Sequence, residues 1–244
     1  IAEDAAEILH HKTYRRILVL NDFPITPVTF GGKVRVFHLY RPVARECNVT
    51  ILTQTDEPQH ARRVLAPGVE ELNIPISASQ RLLRKILPRL IGVAADDLAA
   101  CLTVRRTKAI RQAYLRERRH AAAIILSHPF MVPLVHGDEQ YPLLYDSHGV
   151  ASLLKTRLYS KGFWGRWALR RIFKCERDAL RRASFIAGCS EEDLENFRRA
   201  FADVEGMKEK LTVVPNGVDC GAHQPPSIEQ RIALKRRAGY ADGP

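Results

Sequence analysis

Short apolar runs alternate along the chain with longer stretches in which apolar side chains recur every three or four residues. The runs are nearly continuous in apolar character, as expected for strands that are covered on both faces of a sheet. They lie at residues 16–21, 48–54, 69–76, 122–127, 142–146, 184–189 and 211–215. The stretches with helical spacing lie at residues 33–46, 79–119, 151–182 and 190–201. This alternation predicts an α/β fold, a doubly wound, mainly parallel sheet with helices on both faces.

The same pattern predicts the limits of the domain. Residues 1–14 precede the first strand and are expected to form an N-terminal extension, whereas residues 15–219 form one lobe. The segment CGAHQPPS, which begins at Cys220, is typical of an exit from a domain, and residues 228–238 predict one more helix. We therefore expect residues 220–244 to begin a linker between two domains. Because the sequence begins with Ile1 and not with Met, we expect it to be processed or part of a longer chain.

Positive charge is concentrated in two parts of the sequence. The formal net charge is +11 at pH 7, and the excess lies in residues 81–119 and 155–182. Clustered cations attract the phosphates of a nucleotide ligand, an anionic membrane or nucleic acid, although a solvated helix face is the simpler interpretation. The sequence has no helix-turn-helix, zinc-finger or aromatic RNA-binding pattern, so nucleic acid is not an expected partner.

The second basic stretch has an amphipathic pattern. Within residues 161–182, apolar side chains share one helical stripe and basic side chains another. The apolar stripe comprises Trp164, Ala168, Ile172, Cys175 and Ala179. A basic helix of this kind can lie on an anionic membrane surface, or its apolar stripe can pack in the core of the protein.

The cysteines and the apolar runs restrict where the protein acts. Five cysteines are widely spaced and form no C-x-x-C motif, which argues against a disulfide framework or a zinc site and for a reducing compartment. No apolar run approaches the ~18 residues that a membrane span requires. We expect a cytoplasmic protein, with the inner face of the membrane as a candidate peripheral location and no metal site.

In a parallel α/β sheet, ligands bind at the carboxyl ends of the strands, and the residues that follow the first strand carry candidate chemistry. A long loop there ends in Gly31 and Gly32, followed by Lys33 at the start of a predicted helix. Exposed backbone N–H groups and the positive end of a helix would bind a phosphate or a sugar. A simple turn is the alternative interpretation.

Polar residues also follow three later strands. Asp146, Ser147 and His148 come after the fifth predicted strand, and a histidine can donate or accept a hydrogen bond near neutral pH. Ser190 precedes three acidic residues and predicts a helix N-cap. Asn216-Gly217, in the sequence PNGVD, suits a tight turn after the last strand.

In order and spacing, these segments resemble the N-terminal domain of retaining glycosyltransferases of family four, which have the GT-B fold and use nucleotide-sugar donors. The matching motifs are the loop ending in Gly-Gly, the strand NVTILTQ, YDSHG, ERDALRRASFIAGCS and VVPNGVD. The resemblance covers residues 15 to about 226, nearly the whole chain. It implies that residues 15–219 form the Rossmann-like, acceptor-side lobe of such an enzyme.

The resemblance also implies roles for particular residues. Gly31 and Gly32 would lie beside the donor phosphates or the transferred sugar, and His148 would hydrogen-bond that sugar during the reaction. Asn216 and Gly217 would line the cleft between the two lobes. Lys33, Asp146, Ser147 and Ser190 are candidates for acceptor binding or cleft lining, while a structural role is expected first for Ser190 and for Glu176.

The family's second lobe supplies a basic pair and a Glu-x7-Glu segment for the donor, and neither follows Val218 in this sequence. We therefore expect the sequence to be inactive by itself. The implied partners are a nucleotide sugar and a glycan or lipid-linked acceptor, without a cofactor or an obligatory metal. A stand-alone module that binds a glycan or a phosphorylated ligand, and a GT-B-like nucleotide-sugar epimerase, remain alternatives.

Overall fold

The computed structural model describes residues 15–135, 140–159, 161–217, 221 and 225–240. The predicted N-terminal extension lies outside the described residues, as does part of the predicted linker. Eight strands form one sheet in the spatial order β3-β4-β2-β1-β5-β6-β7-β8, and all neighbours are parallel except the antiparallel pair β3 and β4. The strands are β1 Arg16–Leu20, β2 Asn48–Thr55, β3 Ala61–Ala66, β4 Val69–Pro75, β5 Ala121–Leu126, β6 Leu143–Asp146, β7 Phe185–Gly188 and β8 Leu211–Val213.

Helices connect the parallel strands and cover both faces of the sheet. They are α1 Gly31–Val43, α2 Ala78–Ile91, α3 Asp96–Thr103, α4 Lys108–Arg118, α5 Ala151–Leu158, α6 Phe163–Arg182, α7 Glu191–Ala200 and α8 Ile228–Arg237. Short 3-10 segments occur at Val104–Arg106, Pro129–Val135 and Lys208–Lys210. The predicted doubly wound, mainly parallel α/β fold is therefore confirmed.

The core is divided between the two faces because successive strand residues point to opposite sides. On one face, Leu18 and Leu20 of β1 belong to a buried cluster with Tyr114 of α4 and Ala179 of α6. On the other face, Val19 of β1 belongs to a second buried cluster with side chains of α1. These two layers fix α1 on one side of the sheet and α4 and α6 on the other.

Strand β3 was not predicted from the sequence. Its sequence, ARRVLA, contains two arginines and alternates between exposed and partly buried positions. It forms a hairpin with β4 through Pro67 and Gly68, and lies at the edge of the sheet. An edge strand has few buried side chains, so the apolar run that indicated the other strands is missing here.

Two of the predicted helical stretches are divided into shorter helices. Residues 79–119 form α2, α3, a 3-10 turn and α4, because Gly92 ends α2 with a left-handed backbone at φ 84°. Residues 151–182 form α5 and α6, and Gly162 provides the extended N-cap residue of α6. Helical spacing therefore predicted the type of element correctly but not its interruptions.

Core packing accounts for most of the apolar stripe of the second basic stretch. Ala168, Ile172, Cys175 and Ala179 of α6 are all buried, whereas Trp164 at the start of the helix is 46% exposed. The stripe is therefore the side on which α6 packs against the domain. Among the helices that the structure describes, none is both long and apolar enough to cross a membrane.

Candidate functional site

Arg35 is a buried side chain that forms hydrogen bonds at the carboxyl ends of β6 and β8. It lies on α1, its side chain is 5% exposed, and its Nη2 and Nε donate hydrogen bonds of 2.6 and 3.2 Å to Asp146 Oδ1. Its Nη1 donates to the backbone oxygen of Val214 at 3.0 Å and to Asn216 Oδ1 at 2.9 Å. Tyr40 donates its hydroxyl hydrogen to Asp146 Oδ2 at 3.1 Å. This network, the Arg35 network, fixes the elbow after β8 to the end of β6.

The charge state of Asp146 follows from this environment. Burial raises the pKa of the Asp146 carboxyl, while the Arg35 guanidinium and the Tyr40 hydroxyl act in the opposite direction. A carboxylate that accepts bonds from both donors matches the geometry. Asp146 is thus a structural anchor, which explains how a strand-end carboxylate can be buried with its charge compensated.

His148 lies beside this network with one ring nitrogen engaged and the other without a partner. Its Nε2 lies 3.2 Å from Ser127 Oγ, and 3.9 Å from Asp146 Oδ2. Its Nδ1 is buried without a hydrogen-bond partner in the described structure. The ring also lies 4.4 Å, between centroids, from that of His128. The two histidines follow β6 and β5, neighbouring strands whose ends meet at this edge.

Both histidines are neutral at physiological pH. Burial lowers the pKa of His128 to about 4, and burial together with His128 and Arg35 lowers the pKa of His148 to about 2. A neutral imidazole has one donor and one acceptor nitrogen, so the Nδ1 of His148 is available either to donate or to accept, depending on the tautomer. The site can therefore hydrogen-bond a hydroxyl group without adding a positive charge.

The two predicted glycines begin α1 next to His148. A Cβ atom at Gly32 would lie 3.3 Å from the rings of Phe23 and Phe30 and 3.5 Å from His148 Nδ1, whereas a Cβ at Gly31 would meet nothing within 4 Å. Both glycines line a cavity of about 1400 Å³ that runs along α1. The absence of a side chain at Gly32 thus lets the loop, the helix and the imidazole approach one another closely.

The cavity also brings the elbow residues into the site. Asn216 and Gly217 line it together with His148 and the two glycines at the start of α1. The structure therefore places five of the predicted site residues around one space, although the ligand roles assigned to them stay predictions.

Three further predicted residues make local contacts away from the cavity lining. Lys33 donates from Nζ to the Pro27 oxygen at 3.1 Å, so its side chain turns back onto the preceding loop. Ser147 donates to the Gly149 oxygen at 2.7 Å, and Ser190 accepts a hydrogen bond from the Asp193 N–H at 3.2 Å. Ser190 is thus the N-cap of α7, as its sequence predicted.

Glu176 supports the loop that carries His148. Its Oε1 accepts from the Ala151 N–H at 2.9 Å and from the Tyr145 hydroxyl at 3.0 Å, and its Oε2 accepts from the Ser152 N–H at 2.8 Å. Ala151 and Ser152 are the first residues of α5, so a fully buried carboxylate from α6 accepts hydrogen bonds from the N–H groups at that helix start. The expected structural role of Glu176 agrees with these contacts.

Three residues of this region were missed from the sequence: Arg35, His128 and Asp22. Asp22 follows β1 and is 8% exposed, and burial together with the nearby Asp97 raises its pKa to about 7. Both Asp22 and His128 directly follow predicted strands, so the criterion that indicated His148 would also have indicated them. Arg35 gave no such signal, because its partners lie more than 100 positions away in the chain.

The described residues offer no obvious metal site. No group of three or more His, Cys, Asp and Glu side chains within the described ranges is arranged to hold a metal ion. The four cysteines that the structure describes, Cys47, Cys101, Cys175 and Cys189, are free thiols. Around the cavity, neutral side chains and backbone groups can form hydrogen bonds, and Arg35, Arg41 and Arg45 supply positive charge.

Solved glycosyltransferase structures have the same fold. The catalytic domain of starch synthase IV from Arabidopsis thaliana, bound to ADP and acarbose, matches with a TM-score of 0.56 and 13% identity, over 95% of this chain and 60% of that one. The α,α-trehalose-phosphate synthase of Burkholderia xenovorans, in complex with glucose-6-phosphate, matches with a TM-score of 0.54 and 14% identity, over 91% and 56%. UGT71G1 of Medicago truncatula, complexed with UDP-glucose, matches with a TM-score of 0.51 and 12% identity, over 93% and 57%.

The chain therefore spans little more than half the length of these structures. Its fold, with polar residues gathered at the carboxyl ends of the strands, is that of the N-terminal lobe of a GT-B glycosyltransferase. Residues 30–217 match the glycosyl transferase 4-like domain, and the chain belongs to that family. No curated protein sequence matches the chain. The predicted resemblance to the N-terminal domain of a GT-B glycosyltransferase is thereby confirmed.

Proposed function

We propose that this chain is the acceptor-side lobe of an enzyme that transfers a sugar from a nucleotide-sugar donor to a glycan or lipid-linked acceptor with retention of configuration. The observation that carries the proposal is the position of His148, which lines the cavity beside Gly32 at the start of α1 and has a buried, unpartnered Nδ1. The family match supports the reaction class. The matched structures were solved with ADP, glucose-6-phosphate and UDP-glucose, which supports a nucleotide-sugar donor.

The N-terminus of α1 is the proposed binding point for the donor phosphates. Its N-cap residue, Phe30, makes no side-chain capping bond, and its first turn contains no acidic residue. The first N–H groups of the helix, from Gly31 onwards, therefore have no side-chain cap and lie at its positive end. Backbone donors of this kind would stabilise a departing nucleotide diphosphate without an obligatory metal.

In the proposed reaction, His148 hydrogen-bonds a hydroxyl of the transferred sugar. Ser127 orients the ring through Nε2, and burial keeps the imidazole neutral, so Nδ1 contributes one directed hydrogen bond. Asn216 and Gly217 would line the boundary with a second lobe, which would supply the remaining donor contacts. Without that lobe the chain would not transfer sugar.

The proposed location is the cytoplasm. If the acceptor is lipid-linked, the proposal also includes peripheral binding of the protein to an anionic membrane. Leu154 and Leu158 of α5 and Phe163 and Trp164 of α6 are 46% to 67% exposed. Lys161 and Arg166 lie close to them in sequence and are exposed as well. Exposed apolar and basic side chains that lie close together in sequence suit a membrane interface. Co-sedimentation with liposomes tests this extension: binding that ignores anionic lipid would reject it.

The test of the reaction uses the longest natural polypeptide that contains this chain, with a panel of nucleotide sugars and of glycan and lipid-linked acceptors. His148→Ala should lower kcat by about 100-fold or more, because a hydrogen bond made to the reacting sugar is lost. His120→Ala is the matched control, since His120 is exposed in a turn after α4. The NMR spectrum of the product should show the anomeric configuration of the donor.

Four results would count against parts of the proposal. If His148→Ala and His120→Ala had equal kcat, His148 would have no part in transfer, and an inverted product would exclude retention. Rapid transfer by residues 1–244 alone would contradict the requirement for a second lobe. Binding of a glycan without transfer in the whole polypeptide would favour the alternative of a binding module.

A further inference from the structure

On the face of the sheet opposite to α1, a groove is lined by cations from both basic stretches of the sequence. It lies between α4 and α6 and has a volume of about 1160 Å³. Its walls carry Arg182 and six further basic side chains from separate parts of the chain: Arg105, Arg106, Lys108, Arg111, Arg171 and Lys174. The first four precede or begin α4, and the last two lie on α6. Folding thus brings two distant basic segments together around one concavity.

These six cations have no acidic partner within the described residues. None of them is in a salt bridge, although many other arginines in the described part of the chain are paired, such as Arg84 with Asp56 and Arg177 with Asp203. Asp178 is the one acidic side chain among the described residues that line the groove. Six like charges around a low-dielectric concavity repel one another and focus a positive potential inside it. An anion in the groove would relieve that repulsion.

The floor of the groove adds no negative charge. It is formed in part by Leu115, Val132 and the thiols of Cys101 and Cys175. The Cys101 thiol donates to Cys175 Sγ at 2.9 Å, and the Cys175 thiol donates to the Pro129 oxygen at 3.0 Å, so both thiols are hydrogen-bonded inside the protein. The cations on the walls are therefore the groove's main charged groups.

We propose that the groove between α4 and α6 is a binding site for a compact polyanion, a ligand that carries two or more adjacent phosphate groups. Arginine binds phosphate oxygens through paired N–H donors, and four of the six cations are arginines. The concave shape, with cations on facing walls, suits a discrete ligand that enters the groove better than a flat bilayer surface. Such phosphates occur in soluble polyphosphorylated compounds and in the headgroups of phosphorylated lipids.

This site is separate from the cavity beside His148. The floor residues Leu115, Val132 and Cys175 pack in the core cluster with Leu18 and Leu20 of β1. Side chains of α1, along which the other cavity runs, pack in the cluster on the other face with Val19. The proposal therefore stands independently of the proposed sugar transfer, and its test is a binding measurement.

The test compares two double variants of the chain that have the same change in net charge. Arg111→Glu with Lys174→Glu reverses one cation on each wall of the groove, whereas Arg89→Glu with Arg119→Glu reverses two exposed arginines outside it. Inorganic tripolyphosphate is titrated by calorimetry into the wild type and both variants. Circular dichroism checks that each variant is folded, as expected for substitutions at exposed positions.

We expect saturable binding of one tripolyphosphate to the wild type and to the control variant, and an affinity at least about tenfold lower in the groove variant. Equal weakening in both variants would show diffuse surface attraction and overturn the proposal, as would no saturable binding of any phosphate probe. Vesicles of phosphatidylcholine, with and without phosphatidylinositol 4,5-bisphosphate, identify the source. Vesicle binding that needs the bisphosphate lipid and is lost only in the groove variant assigns the phosphates to a lipid headgroup, and loss of tripolyphosphate binding alone assigns them to a soluble ligand. Vesicle binding that both variants retain, without saturable tripolyphosphate binding, would assign membrane contact to another surface and reject the site.

Discussion

Replacing Arg35 with methionine should destabilise the protein strongly, because it removes the only cation that compensates the Asp146 carboxylate among the contacts described. Methionine keeps an unbranched apolar stem but makes none of the four hydrogen bonds that the guanidinium donates to Asp146, Val214 and Asn216. Both members of the pair are nearly excluded from solvent, with side chains 5% and 6% exposed. Removal of one partner from a buried ion pair typically costs about 3–5 kcal/mol. That is about a fifth or more of the stability of a typical domain, which is about 5–15 kcal/mol.

The mechanism predicts a particular form of non-additivity. In Arg35→Met the unpaired carboxylate of Asp146 causes most of the loss, so Arg35→Met combined with Asp146→Asn should cost less than the sum of the two single substitutions. We expect a coupling free energy of about 2 kcal/mol or more, within the range measured for contacting charged residues. The elbow should also loosen in both variants that lack Arg35, since the bonds to Val214 and Asn216 are lost in either background.

Urea unfolding followed by circular dichroism gives the free energies, and hydrogen exchange of residues 211–217 reports on the elbow. Arg41→Met is the matched control, because Arg41 is an exposed arginine in the last turn of the same helix. It should change the free energy of unfolding by less than about 0.5 kcal/mol. The reasoning is refuted if Arg35→Met costs no more than the control, or if its effect and that of Asp146→Asn are additive.

Two further predictions concern buried titratable groups. Because burial lowers the pKa of His128 to about 4, only the unfolded chain gains a proton there as the pH falls below its ordinary value of 6.5. Protonation of His128 in the unfolded chain should therefore lower the unfolding free energy of the wild type by about 2 kcal/mol between about pH 7 and about pH 5. His128→Asn lacks this loss, so its unfolding free energy relative to the wild type should rise by the same amount over that range. A difference that is constant with pH would contradict a neutral buried imidazole. Glu176→Gln should cost about 1–3 kcal/mol in urea unfolding, because an amide cannot accept from the N–H groups of both Ala151 and Ser152. Glu205→Gln in the exposed turn after α7 is its control, and equal stabilities would show that Glu176 does not hold the start of α5.

The elements that the sequence predicted well are those whose local pattern follows from burial. Seven strands were indicated by apolar runs, because a parallel strand covered on both faces needs apolar side chains at nearly every position. Strand β3 has polar and exposed positions, so nothing in its own residues distinguished it from a loop. The interruption at Gly92 was likewise hidden, because glycine is tolerated inside helices as well as at their ends.

The candidate site was predictable to the extent that it follows the strand ends. His148 and the two glycines were found because ligands bind at that edge in parallel sheets. Arg35 was missed because its role depends on contacts with Asp146 and Asn216, which approach it only when the sheet is assembled. The same limit applies to the groove between α4 and α6, since helical spacing gives no information on which two helices lie side by side.

The edge strand β3 has a consequence for how the protein behaves at high concentration. Strands at the open edge of a sheet can pair with a second molecule and begin aggregation. On β3, Arg62 forms ion pairs with Glu70 and Glu117, and Arg63 forms one with Glu57. These pairs place fixed charges along the open edge of the strand. A second strand that docked there would have to desolvate these charges. Any self-association of this lobe should therefore use a surface other than the open edge of β3.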